Sequence, residues 1–125
     1  MRRVVITGAG AVSALGHEWP TISAALREGR NRVRPIPEWE AIEGLNTRLG
    51  APILDFETPA SYPRKKLRSM GRVSVMAVNA TERALAQANL LEHPALTNGA
   101  TGVSYGSCMG TPEDARALVK VLSDN

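Results

Sequence analysis

The sequence predicts an α/β protein in which helices cover a parallel sheet. Two observations carry this prediction: two short apolar segments each run into a glycine-rich turn, and helical patterns follow both of them along the 125-residue chain. Alternating strands and helices are typical of layered folds with parallel strands. Two strands are too few to complete such a sheet. We therefore expect residues 1–125 to be an incomplete, first part of a larger domain.

The first strand is predicted over Val4–Ile6, whose three β-branched side chains favour a buried parallel strand. The small residues of Thr7–Gly10 follow it as a tight turn. A helix is then predicted over Glu18–Arg27, because Pro20 suits a first helical turn and Gly29 suits the C-terminal end.

Residues 30–63 form a long proline-rich excursion within the domain. No hydrophobic period persists there, and we expect only a short strand around Arg48–Ile53. An unstructured loop of this length is uncommon in a compact domain and is usually functional. Five of the eight prolines lie in this excursion: Pro35, Pro37, Pro52, Pro59 and Pro63.

One long helix is predicted over Arg64–Leu91, since this stretch contains no proline and one glycine. Its apolar surface is rich in alanine and wider than a single stripe, which indicates burial between layers. A second buried strand is predicted over Gly102–Tyr105 and runs into the turn Gly106–Gly110. An amphipathic helix follows, with Thr111 as its N-cap and Pro112 as its first residue.

Composition excludes several classes of function. Aromatic residues make up only 4% of the chain, which argues against nucleic-acid modules that stack bases on aromatic side chains. Cys108 is the single cysteine, so neither an internal disulfide nor a multi-cysteine zinc site is available. His17 and His93 share no ligand spacing. We expect a cytoplasmic protein with no cofactor, no metal and no membrane span.

The glycine turn after the first strand invites a dinucleotide-binding interpretation. In the pattern GxGxxG starting at Gly8, the third glycine falls on Ser13, and the short-chain dehydrogenase pattern fails at Val12 and Ala14. A packing turn, in which small residues let neighbouring elements approach closely, is the favoured interpretation. A nucleotide-binding oxidoreductase is the third alternative for the function.

Residues 64–72 carry five cations and no acid. A solvated surface is the ordinary explanation of such a run, but cations are disfavoured at a helix start, so an acidic partner would offset a local cost. The partner can be nucleic acid or an acidic carrier protein. Cys108, just before a helix, stands where a thiolate would be stabilised. A small, partly buried thiol in a packed turn is the favoured interpretation.

Three segments in register, RRVVITGAGAVSALG, RKKLRSMGRVSVMAVNATERAL and GVSYGSCMG, resemble the β-ketoacyl-[acyl-carrier-protein] synthases. The resemblance implies the thiolase fold, a layered α-β-α-β-α sandwich that is usually dimeric. It also implies a decarboxylative Claisen condensation of acyl and malonyl thioesters in fatty-acid biosynthesis, with acyl carrier protein as partner. We expect either a homodimer or a further downstream chain to complete the molecule.

The resemblance assigns residues one by one. Arg64, Lys65 and Arg68 match the basic patch that meets the acidic carrier protein, although Ser69 stands at a usually basic position. Met109 matches the apolar residue that lines the acyl pocket. No position matches the family's catalytic cysteine or histidines, so this chain alone is not expected to be active. The alternative function is a non-catalytic subunit that binds carrier protein.

Overall fold

The computed structural model describes residues 3–108 and 110–124, with the side chains of Glu113 and Asp114 excepted. The chain divides into two compact units. We call Ala11–Phe56 the hairpin unit. The described residues before and after it form the helical unit.

The hairpin unit begins with helix α1, Trp19–Arg27, close to its predicted bounds. Gly29, at φ +64°, ends this helix: its amide donates to the Leu26 carbonyl, and the Arg30 amide donates to the Ala25 carbonyl. These two bonds satisfy carbonyls that a helix end otherwise leaves unpaired.

Strands β1, Arg34–Pro35, and β2, Leu49–Gly50, pair antiparallel, with Arg34 opposite Gly50. The short strand predicted around Arg48–Ile53 is thus confirmed. A single 3-10 turn, Pro37–Trp39, lies between the two strands.

The helical unit contains α2, Arg64–Leu67, α3, Arg72–Gln87, a 3-10 turn at Pro94–Leu96, and α4, Pro112–Ser123. The bounds of α4 agree with the sequence prediction, and Thr111 is its N-cap residue, but the Thr111 side chain makes no capping hydrogen bond. No helix in the described part of the chain is both long and apolar enough to cross a membrane.

The prediction of one helix from Arg64 to Leu91 is wrong, because the chain breaks at Gly71. Its backbone is extended there, at φ −73° and ψ 169°. A Cβ at this residue would lie 2.7 Å from the Thr111 Cβ, so the site admits only glycine without rearrangement. Glycine is also a poor helix former. The five cations are therefore not at the start of one long helix.

The predicted C-terminal end of this helix, Leu91, also lies beyond the observed end of α3 at Gln87. Asn89 adopts φ 56°, a left-handed conformation that asparagine tolerates. The Leu90 amide donates to the Leu85 carbonyl, and the Asn89 amide donates to the Ala86 carbonyl. This Schellman arrangement stops the helix before Pro94 is reached.

The two predicted buried strands are absent from the described residues. Residues Val4–Ile6 and Gly102–Tyr105 form no ladder, and Val4 and Val103 are 92% and 93% exposed. A strand requires a neighbour for its backbone hydrogen bonds. Within residues 3–108 and 110–124, the only multi-residue ladder is β1–β2.

The apolar faces of the helices are buried unequally. In α3, Val75 and Asn79 are buried and most of the remaining apolar side chains are half-buried. The predicted enclosure of this helix between layers is therefore only partial. In α4, Leu118 and Leu122 are 60% and 69% exposed. Ile22, Ala25 and Phe56 are the buried apolar residues of the hairpin unit.

Candidate functional site

The candidate site is a short exposed run of cations on and just after α2. We call it the cationic turn. Its members are Arg64, Lys65, Lys66 and Arg68. All four side chains are exposed, and within the described ranges none of their charged ends forms an ion pair or a side-chain hydrogen bond. The turn therefore presents four positive charges that no described carboxylate neutralises.

A hydrogen bond ties the start of the cationic turn to α3. Tyr62 lies just before Pro63, which is the N-cap residue of α2. The Tyr62 hydroxyl donates to Glu82 Oε2 at 2.5 Å. On α3, Arg83 Nε donates to Oδ1 of the buried Asn79 at 2.9 Å. Because the Tyr62–Glu82 bond is partly shielded from water, it ties the start of α2 to α3 more firmly than an exposed bond would, while the Arg83–Asn79 bond lies within α3.

The packing of Gly71 against Thr111 holds the other end of the turn. The hydroxyl of Ser69 donates to the Lys66 carbonyl at 3.2 Å, which closes the turn after α2. Ser69 thus has a local structural role at the position that is usually basic in the family that the sequence resembles.

A groove of about 360 Å³ lies between α2 and α3, next to the cationic turn. It combines apolar walls with Lys66, Glu82 and the Tyr62 hydroxyl, so both charge signs are present in it. Its lining residues are Ser61, Tyr62, Pro63, Lys66, Leu67, Met70, Val78 and Glu82.

Partial burial raises the pKa of Tyr62, and the hydrogen bond to Glu82 raises it further. The neutral phenol is therefore favoured in the folded state. The protonated Tyr62 hydroxyl stabilises the fold fully below its unfolded-state pKa of about 10. This stabilisation is lost as the pH rises through the higher pKa of the folded state.

We expect Tyr62 to ionise above pH 10 and the variant Glu82→Gln to lower its midpoint, because the amide that replaces the carboxylate carries no negative charge. The measurement is an absorbance titration at alkaline pH in a Tyr105→Phe background, in which Tyr62 is the remaining tyrosine. A midpoint below 10, or one that Glu82→Gln leaves unchanged, contradicts the structure.

The glycine turn packs against α3, as the favoured interpretation predicts. A Cβ on Gly8 would lie 3.1 Å from the Ala84 carbonyl carbon, and one on Gly10 would lie 2.9 Å from that of Ala80. The Ala9 amide donates to Gln87 Oε1 at 2.7 Å. Close approach to the backbone of α3 explains why both positions are glycine. The contacts of the turn give no support to a dinucleotide-binding site there.

The remaining candidate residues belong neither to the cationic turn nor to the groove beside it. Cys108 is exposed, so the prediction of a partly buried thiol is wrong; the reason is that Ser104–Ser107, which leads into it, is itself exposed and unpaired with any described strand. Met109 lies outside the described residues. His93 Nδ1 accepts from the Ala95 amide at 3.1 Å.

In the hairpin unit, His17 Nε2 lies 3.4 Å from a carboxylate oxygen of Asp55, and its ring meets that of Phe56 edge to face. Both histidines thus have local structural partners. No three histidine, cysteine or acidic residues of the described segments cluster as metal ligands.

Sequence reasoning singled out none of Tyr62, Asn79 and Glu82 as site residues. A signal was present: the polar residues at positions 79, 82 and 83 are spaced i, i+3 and i+4 and therefore share one face of α3. Spacing alone did not show that Tyr62, which lies 20 residues away from Glu82, supplies the partner.

Comparison with known proteins places the chain in a family. A family model described as "Beta-ketoacyl synthase, N-terminal domain" matches residues 1–124. A solved structure of a β-ketoacyl synthase from Burkholderia phymatum superimposes with a TM-score of 0.89 at 52% identity, covering 98% of this chain and 30% of that one.

Curated relatives agree. Nodulation protein E of Rhizobium meliloti is 40% identical over 121 residues, which are 94% of this chain and 30% of that protein. 3-oxoacyl-[acyl-carrier-protein] synthase 2 of Synechocystis is 32% identical over 123 residues, 98% of this chain and 27% of that protein. The chain thus spans less than a third of the length of these relatives.

The structural match confirms the α/β, thiolase-like fold class, although the two predicted strands are unpaired among the described residues. The matched residues include the packed glycine turn, the cationic turn and α3, which together carry the geometry described above. This chain belongs to the β-ketoacyl synthase family, and its residues 1–124 match within the N-terminal domain of that family.

Proposed function

We propose that this protein acts as a β-ketoacyl-[acyl-carrier-protein] synthase, an acyltransferase that docks an acidic acyl carrier protein on the cationic turn. The observation that carries this proposal is the unpaired charge of Arg64, Lys65 and Arg68, held on one fixed turn of the described chain. The names of two relatives support it: 3-oxoacyl-[acyl-carrier-protein] synthase 2 of Synechocystis and 3-oxoacyl-[acyl-carrier-protein] synthase 1 of Escherichia coli are named for forming 3-oxoacyl-[acyl-carrier-protein].

Electrostatics favour an acidic protein partner over nucleic acid. The formal net charge is only +3, and the aromatic side chains number five in the whole chain. Nucleic-acid binding usually needs a stronger basic surface, and single-strand binding needs stacking groups. A short patch of four cations instead suits a small docking footprint, in which complementary charge speeds association and fixes orientation.

The chemistry proposed is decarboxylative condensation of acyl and malonyl thioesters in fatty-acid biosynthesis. No position of residues 1–125 matches the family's catalytic cysteine and histidines, so we propose that other residues of the active protein carry out the bond changes. Met109 is proposed to line the acyl pocket. A homodimer and a cytoplasmic location are proposed with the same family as support.

The test is binding to an acyl carrier protein at increasing salt. We expect the dissociation constant to rise at least tenfold between about 50 and 500 mM NaCl, because exposed charges are screened over a Debye length of roughly 10 Å at 0.1 M. Calorimetry or surface plasmon resonance supplies the constants. Binding that is insensitive to salt contradicts docking on the cationic turn.

The second candidate is a non-catalytic subunit that binds carrier protein, which the unpaired charge of the cationic turn supports equally well. The active protein, including the residues proposed above to carry out the bond changes, is incubated with acylated carrier protein, and its intact mass then separates the two functions. An acyl-sized mass increase on that protein supports the synthase. Salt-sensitive binding without any mass increase supports the subunit.

A further inference from the structure

A second cationic feature lies in the hairpin unit, on the segment that leads into β1. Arginine occupies every second position, at Arg30, Arg32 and Arg34. In an extended chain, residues two apart point to the same side. Arg32 and Arg34 accordingly line one pocket of about 330 Å³, together with Ala14, Pro52, Leu54 and Asp55.

The backbone that carries the two arginines is held in place. The Val33 amide donates to Asn31 Oδ1 at 3.0 Å, and Arg34 stands opposite Gly50 in the β1–β2 ladder. The Ile36 amide donates to the Arg48 carbonyl at 2.9 Å. These bonds fix the backbone that carries Arg32 and Arg34, while both side chains remain exposed.

The charges of the pocket are unbalanced. Arg30 is paired with Glu28 at 2.6 Å, but in the described portion neither Arg32 nor Arg34 has an ion pair or a side-chain hydrogen bond. The carboxylate of Asp55 lies 3.4 Å from His17 Nε2 and forms no ion pair with either arginine. Two guanidinium groups thus bring unused donors to one concave space.

We propose that this pocket binds a phosphate group, as the free ion or as a phosphate monoester. Guanidinium groups match the oxygens of phosphate with parallel N–H donors, and two of them offset the charge of a dianion. Pro52 and Leu54 give an apolar wall on which the body of an ester can pack. Asp55 opposes the anion and thereby limits the affinity. The pocket belongs to the hairpin unit and shares no residue with the cationic turn.

The test is a titration with inorganic phosphate at constant ionic strength, followed by the arginine Nε–H signals in an NMR spectrum. We expect a dissociation constant on the order of 1 mM. The variants Arg32→Gln and Arg34→Gln should each weaken binding about tenfold, since each removes charge-assisted hydrogen bonds. Arg32→Lys should weaken it less, because the positive charge remains.

Two controls sharpen the test. Asp55→Asn should tighten phosphate binding about threefold by removing a like charge. Arg27→Gln, which replaces another exposed arginine of the same unit outside the pocket, should change nothing. Absence of binding, weaker binding by Asp55→Asn, or an equal loss in Arg27→Gln overturns the proposal.

A parallel titration with glycerol 3-phosphate separates the two sources of the phosphate group. Stronger binding of the ester identifies a monoester ligand that uses the apolar wall. Equal binding identifies the free ion, and in both cases the arginine pair is the phosphate site.

Discussion

The variant Gly10→Ala should lower the free energy of unfolding by about 3 kcal/mol, at the upper end of the usual cost of overpacking. The added Cβ would lie 2.9 Å from the Ala80 carbonyl carbon, 3.0 Å from the Ala84 nitrogen and closer still to the Ala80 oxygen. These atoms belong to the backbone of α3, which cannot rotate away as a side chain can. Urea denaturation measures the loss as a lower midpoint at unchanged slope.

Gly102→Ala is the matched control. A Cβ on Gly102 meets no atom within 4 Å, and neither Gly10 nor Gly102 adopts a positive φ, so the two variants differ only in the space around the new methyl group. We expect Gly102→Ala to stay within about 0.5 kcal/mol of the original protein. Equal midpoints for the two variants contradict close packing of the glycine turn on α3.

Reversing two charges of the cationic turn, Lys65→Glu with Arg68→Glu, should weaken binding of an acyl carrier protein about a hundredfold, or about 2.7 kcal/mol. Both side chains are exposed and unpaired among the described residues, so no buried carboxylate is orphaned and the fold should persist. Like charges placed opposite an acidic partner are costly and slow association. Binding kinetics at low salt measure both effects.

The matched control is Arg48→Glu with Arg116→Glu. It changes net charge by the same amount at two exposed arginines outside the turn. We expect a loss of less than threefold from this pair, because long-range attraction alone is screened. An equal loss in both pairs attributes binding to overall charge and removes the cationic turn as the docking site.

Much of the local structure was predictable from the sequence. The bounds of α1 and α4 follow from proline in the first turn, since this residue begins helices at a low cost. The spacing of Gly8 and Gly10 fits no nucleotide fingerprint and indicates packing, which the contact with α3 confirms. The cationic turn is visible as a run of charge.

Contacts between distant residues were not predictable in the same way. The hydrophobic period predicts one helix from Arg64 to Leu91. The helix is interrupted at Gly71, beside which Thr111 occupies the space, and it ends before Asn89, which adopts a left-handed conformation. Apolar runs gave strands at Val4–Ile6 and Gly102–Tyr105. Those segments remain unpaired among the described residues, because a strand exists only with a partner for its backbone.

The amino-acid sequence by itself determined the family, most helix starts, the glycines of the packing turn and the charge of the cationic turn. These depend on residue type and short spacing, which a single chain displays directly. Tertiary structure alone decided that Tyr62 reaches Glu82, that Gly71 breaks the helix, and that Arg32 and Arg34 share one pocket with Asp55. Each of these joins residues far apart in sequence, or depends on the space that a neighbour leaves, and only the folded chain fixes such distances.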